Sequence, residues 1–170
     1  MICKSREILF RGKPIVEEEL MEPNETLKEF FKRQHGWSDY GVNEAFTDDG
    51  FVIGQVVYSH KKAWIVGEVV EAEEDYIALE YWVPVKPETV GQYTGTDIFS
   101  KGFKGVYVGD LFQDESGTVL EVIFEDKIGA FGAWRKEDEW LSVQSLKMWC
   151  ELVGNKWDNP ELLEVLDDEA

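Results

Sequence analysis

Cations, sulfur and imidazole are scarce in this chain. Against 35 Asp and Glu stand 17 Lys and Arg, which leaves a formal charge of −18. A field of that sign repels phosphates, so it argues against wrapping DNA, RNA or an anionic membrane. Two cysteines and two histidines cannot build a disulfide framework or a paired-cysteine zinc knuckle. Cys3, His35, His60 and Cys150 also lie far apart in sequence, whereas structural zinc ligands come in close pairs. No metal and no cofactor is expected. No apolar run approaches the ~20 residues that span a bilayer. The short run Ile8-Leu9-Phe10 in the basic leader 1–13 falls below the ~7–15 apolar residues of a secretory signal. The expected location is therefore cytoplasmic, with both thiols reduced.

What the chain does have is apolar mass and rings. Apolar residues make up 44% of the 170 and aromatics 14%, including 7 Trp, 10 Phe and 6 Tyr. That is enough to bury a core, and flat rings suit the pleated surface of strands. The leader 1–13 is net positive beside an acidic body, which suggests that it lies against that body as a strand. Residues 24–35 carry the clearest helical signal. Asn24 can cap, Glu25 and Glu29 favour the early turns, and Leu27, Phe30 and Phe31 share one face. Lys32, Arg33 and then Gly36 suit its end. Residues 37–50 read as irregular with one weak helical turn, closed by the turn signal Asp49-Gly50.

From Phe51 the apolar period becomes two. Phe51–Tyr58, Ala63–Val70 and Tyr76–Val83 read as strands, joined through Ser59–Lys62 and the acidic turn Glu71–Asp75. Pro84 and Pro87 are expected to end that run. Val106–Gln113, Thr118–Asp126 and Ile128–Trp134 form a second group, and Trp140–Val153 also reads as extended, in one piece or two. Asp158-Asn159-Pro160 then starts a short helix, with Asn159 as cap and Leu162, Leu163 and Leu166 as its inner face. The expectation is a mainly β, β-rich α+β protein of two small antiparallel subdomains, the second barrel-like, with one inserted helix and a short C-terminal helix. Residues 1–88 form the first subdomain, with a helical insertion at 14–50; residues 89–104 cross over, and 105–170 form the second.

No constellation points to catalysis. Asp110 after Gly109, and Asp97 after Gly95 and Thr96, suit turns whose backbone amides a carboxylate accepts. The runs Glu17-Glu18-Glu19, Glu73-Glu74-Asp75, Glu137-Asp138-Glu139 and Asp167-Asp168-Glu169 lack the alternating oxygens around a glycine of a calcium loop, and suit solvated turns and termini. The glycines at 91, 95, 102, 105 and 109 lead into a strand, unlike a phosphate loop, which leads into a helix. Cys150 lies among apolar neighbours and reads as a core residue. The tryptophans at 64, 82, 134, 140, 149 and 157 are expected to fill the two cores, with an exposed one marking a partner surface. Catalytic, cofactor and metal residues are therefore expected to be none, and the protein is not expected to be an enzyme.

Four stretches nevertheless form a specific set: Arg6–Lys13, Thr89–Gly95 (TVGQYTG), Val106–Leu111 (VYVGDL) and Val153–Leu163 (VGNKWDNPELL). In this order they resemble the YopX family of phage and prophage proteins, over roughly residues 6–13 and 51–166. Val108 stands where that family often has an acidic residue, and 96–104 replaces a Lys/Asp/Gly-rich run. The resemblance implies a mostly β protein of a phage or prophage, acting in the bacterial host, with no established activity to carry over. An accessory protein that assembles with itself or binds a protein partner is the expected function. An acidic DNA mimic that blocks a host DNA-binding protein, and an unrecognised hydrolase, are the alternatives.

Overall fold

A computed structural model of the chain describes residues 8–37, 45–98, 105–136 and 138–164. Cys3, residues 38–44 of the stretch 37–50 read as irregular, Gly102, Glu137, Leu166 and the run 167–169 lie outside the described residues. The chain divides into two compact units, Met1–Val90 and Gly91–Ala170. Antiparallel sheets dominate both, as the period of two requires.

In the first unit, strands β1 (Phe10–Gly12), β2 (Val52–Ser59), β3 (Lys62–Val66) and β6 (Trp82–Val85) lie in the order β6-β3-β2-β1. Part of the basic leader thus does lie on the body as a strand. The ladder then continues: Ile15 N–H donates to the Pro84 carbonyl at 2.8 Å, and Lys86 N–H to the Lys13 carbonyl at 2.9 Å. Hydrogen bonds therefore run from β1 across the sheet and back to the residues directly after β1. Pro84 does not end the strand as expected. It pairs with Trp64 at a position where its backbone faces Ile15 rather than β3, so the missing N–H breaks no β3–β6 bond.

Helix α1 (Leu27–His35) starts two residues later than the periodicity suggests. Asn24 takes φ +65° and does not cap. Thr26 does: its hydroxyl accepts from Glu29 N–H at 3.3 Å, while the Glu29 carboxylate accepts from Thr26 N–H at 2.8 Å. Glu25 turns away to Arg33, 2.7 Å off, and that hydrogen bond holds its carboxyl down at about 2. Phe30 and Phe31 enter the core with Val52, Ile65, Tyr81, Val83 and Val85. The segment 14–50 thus supplies part of this core.

The second unit opens with β7 (Gly91–Gln92), after which Thr94 N–H donates to the Val106 carbonyl and Val106 N–H to the Thr96 carbonyl, each at 2.9 Å. Strands β8 (Asp110–Gln113), β9 (Val119–Glu121) and β13 (Glu151–Asn155) form one sheet, ordered β13-β8-β9; β10 (Ile123–Glu125), β11 (Ala130–Arg135) and β12 (Glu139–Ser142) form another. Thr118–Asp126, expected as one strand, is bent at Val122 and serves both. Between β12 and β13 lies helix α2 (Val143–Trp149), where an extended chain was expected. Ser142 caps it by accepting from Ser145 N–H, and Val143 and Leu146 are buried against β11 and β12. The ending is α3 (Glu161–Glu164). Asn159 does not cap it by side chain: its Oδ1 accepts from Asn155 N–H at 3.3 Å, and its main-chain carbonyl receives Leu162 N–H.

The turn after β8 carries a measurable charge effect. Asp114 Oδ1 accepts from Ser116 Oγ (2.6 Å), Ser116 N–H (2.8 Å) and Thr118 N–H (3.0 Å), while Arg135 lies 2.9 Å from Oδ2. The Ser116 hydroxyl foremost, then these amides and Arg135, hold its carboxyl below the ordinary range. A depressed folded value means stability that is present above the unfolded value of about 3.9 and is lost as pH falls through the folded one. Asp114→Ala is expected to cost about 2 kcal/mol at neutral pH. Urea unfolding of both proteins at pH 7 and pH 3 checks this, with the gap expected to narrow in acid.

Candidate interaction surface

The residues singled out in the sequence do not converge. Asp110 is fully buried, and its Oδ2 accepts from Tyr107 N–H at 2.8 Å, bracing the Gly109 turn from within. Asp97 accepts from the Tyr93 hydroxyl at 2.6 Å. His35 stacks on Trp37 with centroids 4.6 Å apart, and burial lowers its pKa. His60 sits in the β2–β3 turn, its Nδ1 2.8 Å from Ser59 Oγ. Among the described residues no group of three or more His, Cys, Asp or Glu side chains is placed to hold a metal ion. Cys150 is half-buried and packs against the second core, at its edge rather than inside it. Burial, and then the Asp114 carboxylate, push its thiol up.

The tryptophans are not the core either. The buried cores are Val, Phe, Leu, Ile and Ala with Tyr81, and no described tryptophan is among them. Each indole N–H needs a partner, which favours the boundary with water. Trp134 shows this: Nε1 donates to Glu125 at 3.1 Å while the ring packs edge-on against Trp140 at 5.2 Å.

The conspicuous surface is a β ribbon in the first unit. Among the described residues strands β4 (Val69–Ala72) and β5 (Ile77–Leu79) pair only with each other, and they continue the β3–β6 hairpin outward. Gly67 N–H to Tyr81 O and Glu80 N–H to Glu68 O, both 2.9 Å, carry the ladder across. Every residue of β4 is exposed. Val69, Val70, Tyr76 and Ile77 stand 58, 64, 47 and 66% in solvent. Around them are Glu68, Glu71, Glu73, Glu74, Asp75 and Glu80, and no basic residue between 68 and 80. An isolated two-stranded hairpin is marginal in water, and an uncovered strand edge is a template for pairing. Period-two reading cannot reveal this ribbon, because its alternation is the same as that of a half-buried strand. The available signal was the density of acids on both sides of the hairpin.

A groove of about 520 Å³ lies at the end of α2 in the second unit, lined by Met148, Trp149, Cys150 and Leu152 with Asp114 and Lys147. Met148 and Trp149 are about two-thirds exposed, and Lys147 Nζ is held by the Asp97 carbonyl at 2.7 Å.

The three later sequence motifs meet in one place. A side chain at Gly91 would strike the Val108 carbonyl, and one at Gly109 would strike the Trp157 ring, whose Cη2 also faces Gly91. Asn155, buried, accepts from Trp157 and Asp158 N–H through Oδ1 and donates to Asp158 through Nδ2. The motifs are thus a structural seat for Trp157.

The fold and this seat define a two-unit antiparallel β protein whose exposed apolar residues include those of a two-stranded ribbon. Residues 43–164 match the family described as YopX protein, and the chain belongs to the YopX family. The match begins beyond Arg6–Lys13, so that stretch of the resemblance lies outside it. No curated protein matches the chain. Among the described residues no helix is long and apolar enough to cross a membrane.

Proposed function

We propose that this YopX-family protein is a phage or prophage accessory protein that works by association, with itself or with a protein partner in the bacterial cell, and performs no covalent chemistry. The observation that carries the reading is the β4–β5 ribbon, which holds four large apolar side chains in water, outside the core of its own unit. Exposed apolar clusters of that kind mark interaction sites.

The test is a ribbon variant, Val70→Glu with Ile77→Glu. Both side chains are exposed, so the fold is expected to melt as the parent does. Association, read by light scattering of the purified chain and by capture from a bacterial lysate, is expected to weaken at least about tenfold. Equal association by both readouts would refute the ribbon as the binding surface.

A further inference from the structure

The hairpin that carries the ribbon is segregated by charge. From Phe51 to Gly67 there is no acidic residue, and the β2–β3 turn presents His60, Lys61 and Lys62. All three are exposed, next to exposed Val57 and Tyr58. The pairing Ala63↔Val85 brings Lys86, the next residue after β6, alongside Lys62. From Glu68 to Glu80 the reverse holds: six acidic residues and no basic one, around Val69, Val70, Tyr76 and Ile77. One end of the hairpin is apolar and cationic, and the other is apolar and anionic.

These ends cannot meet within one molecule. The chain from Lys61 to Glu73 runs outward along β3 and β4, a span of up to about 40 Å at the rise of a strand. An arrangement with two ribbons face to face would set six carboxylates against six, which opposes a symmetric contact. The basic turn is itself conformationally costly. His60 and Lys61 take φ of +48° and +66° in a two-residue turn where Asn-Gly is the low-strain choice. Strain retained at a loop tip points to a use for the side chains displayed there.

We propose that a second copy of this chain is the partner, joined head to tail: the acidic β4–β5 ribbon of one molecule docks on the basic β2–β3 turn of the next. This rests on the reading of the ribbon as an association surface and specifies what it meets. A contact whose two sides differ propagates into a ring or an open chain rather than stopping at a dimer. The faces are small, so the association is weak and rises with protein concentration. Salt weakens it, because the Debye length shrinks from about 14 Å at 50 mM to about 4 Å at 0.5 M.

Charge reversal tests the pairing. Sedimentation velocity of the full chain at low salt should show mass growing with concentration past a dimer. Lys61→Glu with Lys62→Glu, and separately Glu73→Lys with Glu74→Lys, should each remain monomeric. Mixing the two variants, or placing all four changes in one chain, should restore the growth. Matching thermal midpoints establish that each variant is folded. The head-to-tail pairing is overturned if the parent stays monomeric at the highest concentration reached. It is equally overturned if either reversal alone leaves the mass unchanged, if reversal of the ribbon alone strengthens association, or if the fourfold variant does not recover. The ribbon itself is judged separately by Val70→Glu with Ile77→Glu. A loss of association there, together with no response to charge reversal, leaves the ribbon as a binding surface and removes the second copy's basic turn as its target.

Discussion

A chain ending at Glu151 is expected to lose cooperative unfolding in its second unit, whereas one ending at Leu166 melts like the whole. Among the described residues strand β13 is the partner of β8 on one side of the sheet, through Leu152↔Phe112, Gly154↔Leu111 and Asn155↔Asp110. Removing it withdraws the ladder from three residues that are fully buried, Asp110, Leu111 and Phe112. It also removes Leu152, 5% exposed, whose burial is worth roughly 1.5–3 kcal/mol. Each backbone group then left without a partner in the interior adds about 1–3 kcal/mol. The sum reaches the whole net stability of a small domain, about 5–15 kcal/mol. Leu162 and Leu163 are only half-buried, so these two leucines are not the main anchor that their spacing suggests. A chain ending at Pro160 keeps β13 and Trp157 and is expected to melt only a few degrees lower. Differential scanning calorimetry of the three truncations decides the matter; an unchanged transition in the Glu151 chain would show β13 to be dispensable.

How far the chain could be read depended on whether a feature is local. Helix α1 was legible because Leu27, Phe30 and Phe31 mark a face and Gly36 marks an end; only its cap was misplaced, since Asn24 and Thr26 are both capping residues and the choice rests on Glu29 lying three after Thr26. Helix α2 was hidden for the opposite reason. Its seven residues include Val143, Met148 and Trp149, and so short a helix is set by Leu146 and Val143 reaching the core rather than by propensity. The strands were legible as strands, but their burial was not. Val56 and Val70 have the same side chain in the same alternation, and one packs against a core while the other stands in water. The candidate surface depends on that difference, so it is visible only in three dimensions. The motifs that carry the family resemblance were legible as motifs, yet their task was not, because Gly91, Gly109 and Trp157 come from three separate parts of the chain.

That shared task gives the largest single-residue effect expected here. Gly109 takes φ +90°, and a Cβ there would lie 2.3 Å from Trp157 Cη2 and 2.7 Å from Cζ3. Gly109→Ala therefore meets two independent penalties. The backbone conformation costs an L-residue about 1–2 kcal/mol, and overpacking against a ring held in place costs typically 1–3 kcal/mol more. The ring cannot retreat freely, because Trp157 N–H is bound by Asn155 Oδ1 at 3.1 Å and Lys156 N–H by the Gly109 carbonyl at 2.9 Å. A loss of about 2–5 kcal/mol is expected from urea unfolding of Gly109→Ala. The two penalties separate in a double-mutant cycle with Trp157→Leu. With the indole gone the steric part vanishes and only the backbone part of about 1–2 kcal/mol remains, so the alanine should cost distinctly less in that background. An equal cost in both backgrounds would mean that the turn alone demands glycine and that the contact with Trp157 contributes nothing. A cost that disappears altogether with Trp157→Leu would mean that the turn relaxes to a negative φ once the ring is absent, and that the tryptophan is what holds Gly109 in place.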